Sequence, residues 1–428
     1  MQVCKNATIQ LFKYDYCIEK AEVRELSAAL LLDLSAAFDV VDHSILLEKL
    51  KLYNFSPNSV AWFRSYLANR KQVVAVESKI SDQKDVGEQG VPQGSLLGPI
   101  LFIIFYNDFP DIREEAASSI LYADDDTDNT SDADPDTLQL KIQREANLST
   151  SWVHDNKLVC SGSKTKLLVI GTSELRRSKL TSKNKVLKIN VAGHEVTESS
   201  SERLLGLIVN NTMTWDNHLY GNEEHKGLVS KLSQRTGLIK RLSKIMPRDR
   251  LLVFAEGMFF SLLNYCIEVY GNVWGLSSYD ERNRTSRAFR KEDNRRLQVL
   301  VNEVLRCVTG LDRYASSSAL AMTSRQLSVH QRTALFTLTS VHKALSNKKP
   351  SYAFSKFNLE SRNKEGNRLQ DNCNRIQNKL SLSRCGFFNR GSRLYNQLPS
   401  SLVNIRKQGM FKIAAKKWVR ENIPLQPA

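Results

Sequence analysis

Ser119-Ile120-Leu121-Tyr122-Ala123-Asp124-Asp125-Asp126-Thr127 decides how the rest of the chain is read. An apolar run rises into adjacent carboxylates, then breaks into Asp, Asn, Ser and Thr. Apolar residues bounded by turn formers predict a buried strand that ends in a tight turn. Neighbouring Asp side chains at such a tip repel one another. A cation relieves that repulsion, and hard carboxylate oxygens suit Mg²⁺. An Asp-Asp pair on its own is more often a solvated acidic loop. Two further stretches turn the reading toward chemistry.

Leu30-Leu31-Leu32-Asp33-Leu34-Ser35-Ala36-Ala37-Phe38-Asp39 is a second apolar strand that ends in a carboxylate. Metal-assisted phosphoryl transfer needs carboxylates from separate elements at one point. Asp33 and Asp124 can supply them. Gly90-Val91-Pro92-Gln93-Gly94-Ser95-Leu96-Leu97-Gly98-Pro99 is a glycine-rich turn that opens an apolar helix. Its glycines let backbone approach a ligand closely, and Gln93 offers an amide there.

In this order and spacing the three stretches resemble the reverse transcriptases of non-LTR, LINE-type retrotransposons of the jockey-like kind. That family's palm carries an Asp-Leu-Ser-x-Ala-Phe-Asp strand, a Gly-x-Pro-Gln-Gly-Ser turn and a Tyr-Ala-Asp-Asp hairpin. All three stand here nearly intact, and the resemblance covers most of the chain. It implies an α+β fold: a polymerase palm of antiparallel sheet packed on helices, then a helical thumb and a helical C-terminal region. It also implies an RNA-directed DNA polymerase that takes an RNA template, a DNA primer and deoxynucleoside triphosphates. Asp33 and Asp124 would bridge two Mg²⁺ ions, or Mn²⁺, with Asp125 in support and the Leu34 carbonyl as a further ligand. Asp39 is assigned to structure. Phe38, Gln93, Gly94 and Lys164 would border the nucleotide, with Phe38 under the incoming sugar. Tyr122, the Leu205-Gly206 pair of a primer-grip strand over Arg203–Val209, and Lys231, Arg235 and Lys240 would face primer and template.

Composition agrees with a polyanionic partner. The chain has 428 residues and a net charge of +16, and a basic excess of this kind favours nucleic acid. Seven cysteines, an odd number with no Cys-x-x-Cys pair, predict free thiols in a reduced intracellular compartment. Nucleus and cytoplasmic ribonucleoprotein both remain open. Cys373 and Cys385 lack the spacing and the histidines of a zinc knuckle. The apolar runs Leu96–Tyr106 and Leu251–Val269 are too short or too interrupted to span a bilayer, so no membrane partner is expected.

Taken in order, residues 1–25 show no clear periodicity and are assigned to a remnant of the fingers or a linker. Residues 26–212 form the palm, 213–311 the thumb and 312–428 the C-terminal region. Within the palm, Asp42 should cap a helix through Leu52, with His43 structural. A second helix runs from Asn58 to Leu67, and Lys71–Val76 reads as a strand. Ser95 should cap a buried helix that ends at Asn107. Asp125–Asp136 reads as an acidic stretch beyond the hairpin, followed by a helix over Thr137–Trp152. Ser173–Asn190 is a basic loop. The thumb helices are Lys226–Leu242, Leu251–Tyr270 and Asp293–Val308. Ser328–Leu345 is helical, Glu360–Arg384 is rich in Asn, Arg and Ser, and Arg390–Pro399 resembles the family's tail.

One rival belongs to a different class: a catalytically inactive, truncated remnant that only binds RNA or DNA. Met1–Leu32 is too short for the fingers and endonuclease that the family carries upstream, and Lys20 and Arg24 are the only nearby cations before Asp33. Asp126 stands where the family usually has Thr. On this ground the chain is expected to bind nucleic acid but to polymerise poorly.

Overall fold

The computed structural model describes residues 6–113, 118–273, 290–349, 351–357 and 386–425. Glu360–Arg384, Cys373 and Cys385 lie outside them. The chain divides into two compact units, one over 25–170 and 174–200, the other over 2–24, 171–173 and 201–428. The fold mixes helix and sheet, and none of the described helices is long and apolar enough to cross a membrane.

The first unit is built on β1 (Leu26–Leu32), which is paired on both sides and nearly continuously buried. A strand covered on both faces needs an unbroken apolar run rather than alternation, and Leu-Ser-Ala-Ala-Leu-Leu-Leu supplies it. Four short strands follow: β2 (Lys71–Gln72) with β5 (Lys84–Asp85), and β3 (Ala75–Val76) with β4 (Lys79–Ile80). Lys71–Val76 is therefore not one strand but two arms of exposed ribbon. Its Val73, Val74 and Val76 have no sheet to pack on and stay over half exposed. β6 (Ser118–Tyr122), β7 (Asp125–Asp132), β8 (Lys166–Ile170), β9 (Lys188–Val191) and β10 (His194–Ser199) complete a sheet of order β6-β7-β1-β8-β10-β9. All its pairings are antiparallel except β8–β10.

Several helices of this unit follow their sequence signals. The Asp42 carboxylate accepts from the amides of Ser44 and Ile45, capping α2 (His43–Leu52), and Ser56 caps α3 (Pro57–Leu67). Leu47, Leu50 and Val60 of this pair form a small core against Phe63 and Ile104. α4 (Leu97–Tyr106) buries Leu101, Phe102, Phe105 and Tyr106. α5 (Pro135–Asp155), capped by Asp134, presses Leu138, Ile142, Ala146 and Trp152 inward at helical spacing. Ser173–Asn190 is more ordered than a loop. It contains α6 (Ser173–Lys179), a short 3₁₀ turn and the start of β9.

The second unit begins with a helix that the sequence reading missed, α1 (Asn6–Glu22). Its Cys17, Ile18 and Ala21 are buried. Its Tyr14 hydroxyl donates to the Met213 carbonyl at 3.0 Å, and its ring meets Trp215 at 4.8 Å. α7 (Asp216–Tyr220) and α8 (Leu228–Leu242) follow. The long thumb helix expected over Leu251–Tyr270 is broken. A π turn at Glu256–Phe260 interrupts it, and Cys266 at φ 55 separates its last turn. Helix Lys291–Thr309 packs on α8, and Val329–Asn347 packs on Phe387–Tyr395 and Gln408–Asn422. Arg390, in the expected tail, is buried and donates to the Gly271 and Glu268 carbonyls.

Candidate active site

Asp33 leaves the sheet directly after β1. Asp124 sits in the turn of the β6–β7 hairpin, after Ala123 at φ 55. Leu32 faces Asp126 across the β1–β7 ladder, and Tyr122 faces Asp125 within the hairpin. That register brings Asp33 and the Asp124 turn out at the same end of adjacent strands. Both side chains are half-buried. The Asp33 amide donates to Thr165 Oγ1 at 3.3 Å, and its carbonyl accepts from Ser161 N at 2.8 Å. The Ser35 amide donates to the Val159 carbonyl at 2.8 Å, and Leu34 bridges to Cys160 in the antiparallel sense. Burial pushes the Cys160 thiol up, and the Asp33 carboxylate adds to the shift.

This donor set fits Mg²⁺, which is commonly held by one or two carboxylates while substrate phosphate and water complete its shell. Among the described residues no group of three or more His, Cys, Asp or Glu is placed to hold a metal ion. Asp33 and Asp124 are the two carboxylates at this end of the sheet, and the Leu34 carbonyl follows Asp33 directly in the chain. Asp125 begins β7 and is exposed.

The glycine turn is fixed against the segment that follows Asp33. Gly90 N donates to the Val41 carbonyl at 2.8 Å, and Val91 N to the Phe38 carbonyl at 2.9 Å. Gly90 has φ +82, and a Cβ there would lie 2.8 Å from the Asp39 carbonyl oxygen. The buried His43 ring joins its Nε2 to the Gly90 carbonyl at 2.8 Å, a structural role. Gln93 Nε2 donates to Asp39 Oδ1 at 2.8 Å. Ser95 Oγ accepts from Gly98 N at 2.9 Å, and the first turn of α4 tolerates Pro99. The result is a cleft of about 420 Å³ lined by Phe38 with Ala36 and Ala37, Gln93, Gly94, Pro99 and Asp124. Phe38 stacks on Phe102 with centroids 4.3 Å apart.

Behind the hairpin lies a cluster that the sequence reading did not see. The acidic run after Asp124 is not a loop: β7 lies between β6 and β1, and Asp126 through Ser131 are buried. Arg113 makes this tolerable. Its Nη2 lies 2.9 Å from Asp128 and 3.5 Å from Asp126, and its Nη1 3.4 Å from Glu145 of α5. Ser149 Oγ accepts from Arg113 at 2.7 Å. The only signal was one arginine between Asp111 and the acidic pair Glu114-Glu115, a weak one.

The remaining expected contacts lie apart from the cleft lining or in the other unit. Lys164 is exposed in the turn before β8, and Tyr122 is 36% exposed on β6. Leu205 and Gly206 do not sit within a strand. They form the turn between β11 (Ser201–Leu204) and β12 (Leu207–Asn210), both with positive φ. The Leu205 carbonyl accepts from the Tyr265 hydroxyl at 2.5 Å. On α8, Arg235 donates to the Met258 carbonyl and Lys240 pairs with Glu303 at 2.8 Å. Burial, then Arg203 and Arg235, hold the Lys231 ammonium below its ordinary range.

Asp33 and the Asp124 turn thus emerge at one end of adjacent strands, and Asp124 lines a cleft with Gln93 and Gly94 of the glycine turn. The sequence model of the family described as reverse transcriptase (RNA-dependent DNA polymerase) matches residues 7–209. Residues 7–209 are thus similar in sequence to reverse transcriptases, and the relatives that follow are polymerases of that kind from mobile elements. The RNA-directed DNA polymerase from mobile element jockey of Drosophila melanogaster is 23% identical over 307 residues, 70% of this chain and 30% of that protein. The probable RNA-directed DNA polymerase from transposon BS of the same species is 25% identical over 336 residues, 74% of this chain and 32% of that protein. The chain thus spans about a third of the length of these relatives. Telomerase from Candida Tropicalis, solved with a fragment of telomeric RNA, aligns at a TM-score of 0.35 and 16% identity over 75% of this chain and 52% of that one. Reverse transcriptases as a family work with divalent metal ions.

Proposed function

We propose that the chain carries out RNA-directed DNA polymerisation for a non-LTR retrotransposon, adding deoxynucleotides to a primer 3′-hydroxyl on an RNA template. The observation that carries this reading is the emergence of Asp33 and Asp124 at one end of adjacent strands, beside the cleft of Phe38, Gln93 and Gly94. Bound Mg²⁺ would lower the pKa of the attacking hydroxyl and neutralise charge on the transferring phosphate. Asp33 and Asp124 would hold that charge in place, with the Leu34 carbonyl as a third oxygen. The backbone of the Gly90–Gly94 turn would bound the nucleotide where side chains would intrude. Phe38, braced by Phe102, would set the depth of the sugar pocket and exclude a 2′-hydroxyl. The test is primer extension by the full chain with Mg²⁺ or Mn²⁺. Asp124→Asn should lower extension by at least about 100-fold, the scale on which lost electrostatic stabilisation is measured, while RNA affinity persists. RNA binding with no wild-type extension would favour the inactive-remnant reading instead.

A further inference from the structure

α3 turns one side to the small core of Val60 and Phe63 and another to solvent. The solvent side is aromatic. Trp62 is 55% exposed and stacks on Tyr66 with ring centroids 5.6 Å apart and planes at 7°. Phe63 meets Trp62 edge-on at 5.1 Å, and Phe55 continues the row at 6.1 Å from Phe63. Trp62 and Tyr66 stand one helical turn apart, so the backbone itself sets their spacing. Large aromatics left open on a helix that already has its core are unusual without a partner.

The surroundings indicate what partner. From Leu52 to Val76 the chain holds Arg64, Arg70 and Lys71 and no Asp or Glu. Aromatic faces interleaved with cations and free of carboxylates match single-stranded nucleic acid, whose bases stack while its phosphates seek charge. The surface also leads to the site. Arg70 Nη1 donates to the Gly90 carbonyl at 3.4 Å, and Gly90 opens the turn whose Gln93 and Gly94 line the cleft. The Arg70 carbonyl accepts from Val86 N at 2.9 Å, which fixes that segment.

We infer that Trp62 and Tyr66 form a stacking platform for unpaired RNA bases, and that Arg64 and Arg70 neutralise the adjoining phosphates. Assigning that RNA as the template on its way to the cleft rests on the proposed polymerase function. Binding to the platform does not. The pair is preformed: one face of Trp62 is already against Tyr66, so little ordering accompanies the arrival of a base.

The test uses the full chain and a short fluorescent oligouridylate, with the same RNA annealed to its complement as a second probe. Trp62→Leu and Tyr66→Leu should each weaken single-strand binding by about 5- to 150-fold, the range found for loss of one base–aromatic stack. Trp62→Phe should restore most of the affinity, and affinity for the duplex should hardly change. Wild-type tryptophan fluorescence should be quenched by the single strand, and Trp62→Leu should abolish most of that quenching. Unchanged oligouridylate affinity in Trp62→Leu, or equal losses on single strand and duplex, overturns the platform. Primer extension on the same preparations separates the two readings. A wild-type chain that never extends but loses oligouridylate binding in Trp62→Leu refutes the polymerase and upholds the platform.

Discussion

Replacing Arg113 by Met removes the cation that three buried carboxylates share. The Arg113 side chain is 5% exposed, and those of Asp126, Asp128 and Glu145 are 0%, 0% and 2% exposed. Taking one partner from a buried charged set costs about 3–5 kcal/mol, because the remaining charge stays in a poor solvent. Met keeps much of the side-chain volume, so the loss reports charge and hydrogen bonds more than a cavity. It also ends the stacking of the guanidinium, 4.3 Å over the Phe109 ring, worth about 0.5–2 kcal/mol. The expected destabilisation of the first unit is therefore about 3.5–7 kcal/mol. Hydrogen exchange at the β7 amides, followed through urea unfolding, reads it where the strand lies. Arg113→Lys should recover only part, since a point charge cannot reproduce the fork that reaches Asp128, Glu145 and Ser149 together. Asp128→Asn should be less costly in the Arg113→Met background than in the wild type, with a coupling of about 0.5–3 kcal/mol. A loss below about 1 kcal/mol in Arg113→Met, or strict additivity with Asp128→Asn, would refute the claim that this arginine makes β7 buriable.

Phe38→Val should let ribonucleotides compete, improving their relative kcat/KM by about 10- to 200-fold, the scale for relieving a small steric exclusion; unchanged sugar discrimination would remove Phe38 from that role. On α8, Lys231→Glu should lower the slope of log affinity against log salt by roughly 0.7–0.9 per lost contact. Lys240→Glu should do less, because Lys240 is already paired with Glu303; equal effects would contradict the assignment. Burial raises the Asp15 carboxyl from 3.8 to about 7, with Arg390 opposing the change and Glu19 adding to it. A raised folded pKa contributes stability that is fully present below the unfolded value and lost as pH rises toward 7. Asp15→Asn should therefore flatten the stability profile between about pH 4 and 7. At about pH 8 it should stabilise the second unit by about 4 kcal/mol, because a tenfold change in proton affinity between the folded and unfolded chain corresponds to about 1.36 kcal/mol. Denaturant titrations across pH with no difference between the two proteins would rule it out.

Local signals with local causes were legible. Asp42 caps the helix it precedes, since capping depends only on a side-chain oxygen meeting the next amides. The buried strand into Asp33 was legible because a run covered on both faces has to be apolar. Phe38, Gln93, Gly94 and Asp124 could be grouped only through the family resemblance, and the structure does gather them around one cleft. What escaped was set at a distance. α1 lacks a clear apolar stripe in sequence, because Tyr14 and Asp15 of this helix are satisfied by Met213 and Phe387 from far along the chain. The break at Cys266 was invisible for a related reason: Leu251–Tyr270 has helical composition, and nothing nearby announces a left-handed residue.

β7 shows most clearly why composition misled. Asp-Asp-Thr-Asp-Asn-Thr-Ser-Asp is among the poorest strand formers, and by propensity it belongs to a turn. Yet its backbone is hydrogen-bonded to β6 on one side and β1 on the other. The sheet needs a strand there to bring the hairpin turn level with Asp33. Position therefore overrides propensity, and the cost falls on the side chains. Asp126 and Asp128 face inward with Glu145, and one arginine, contributed from just after a 3₁₀ turn, answers all of them. Asp126 is thus part of a buried strand rather than of an acidic loop. It is a second anion beside Asp128, and the Arg113 guanidinium lies against both of them.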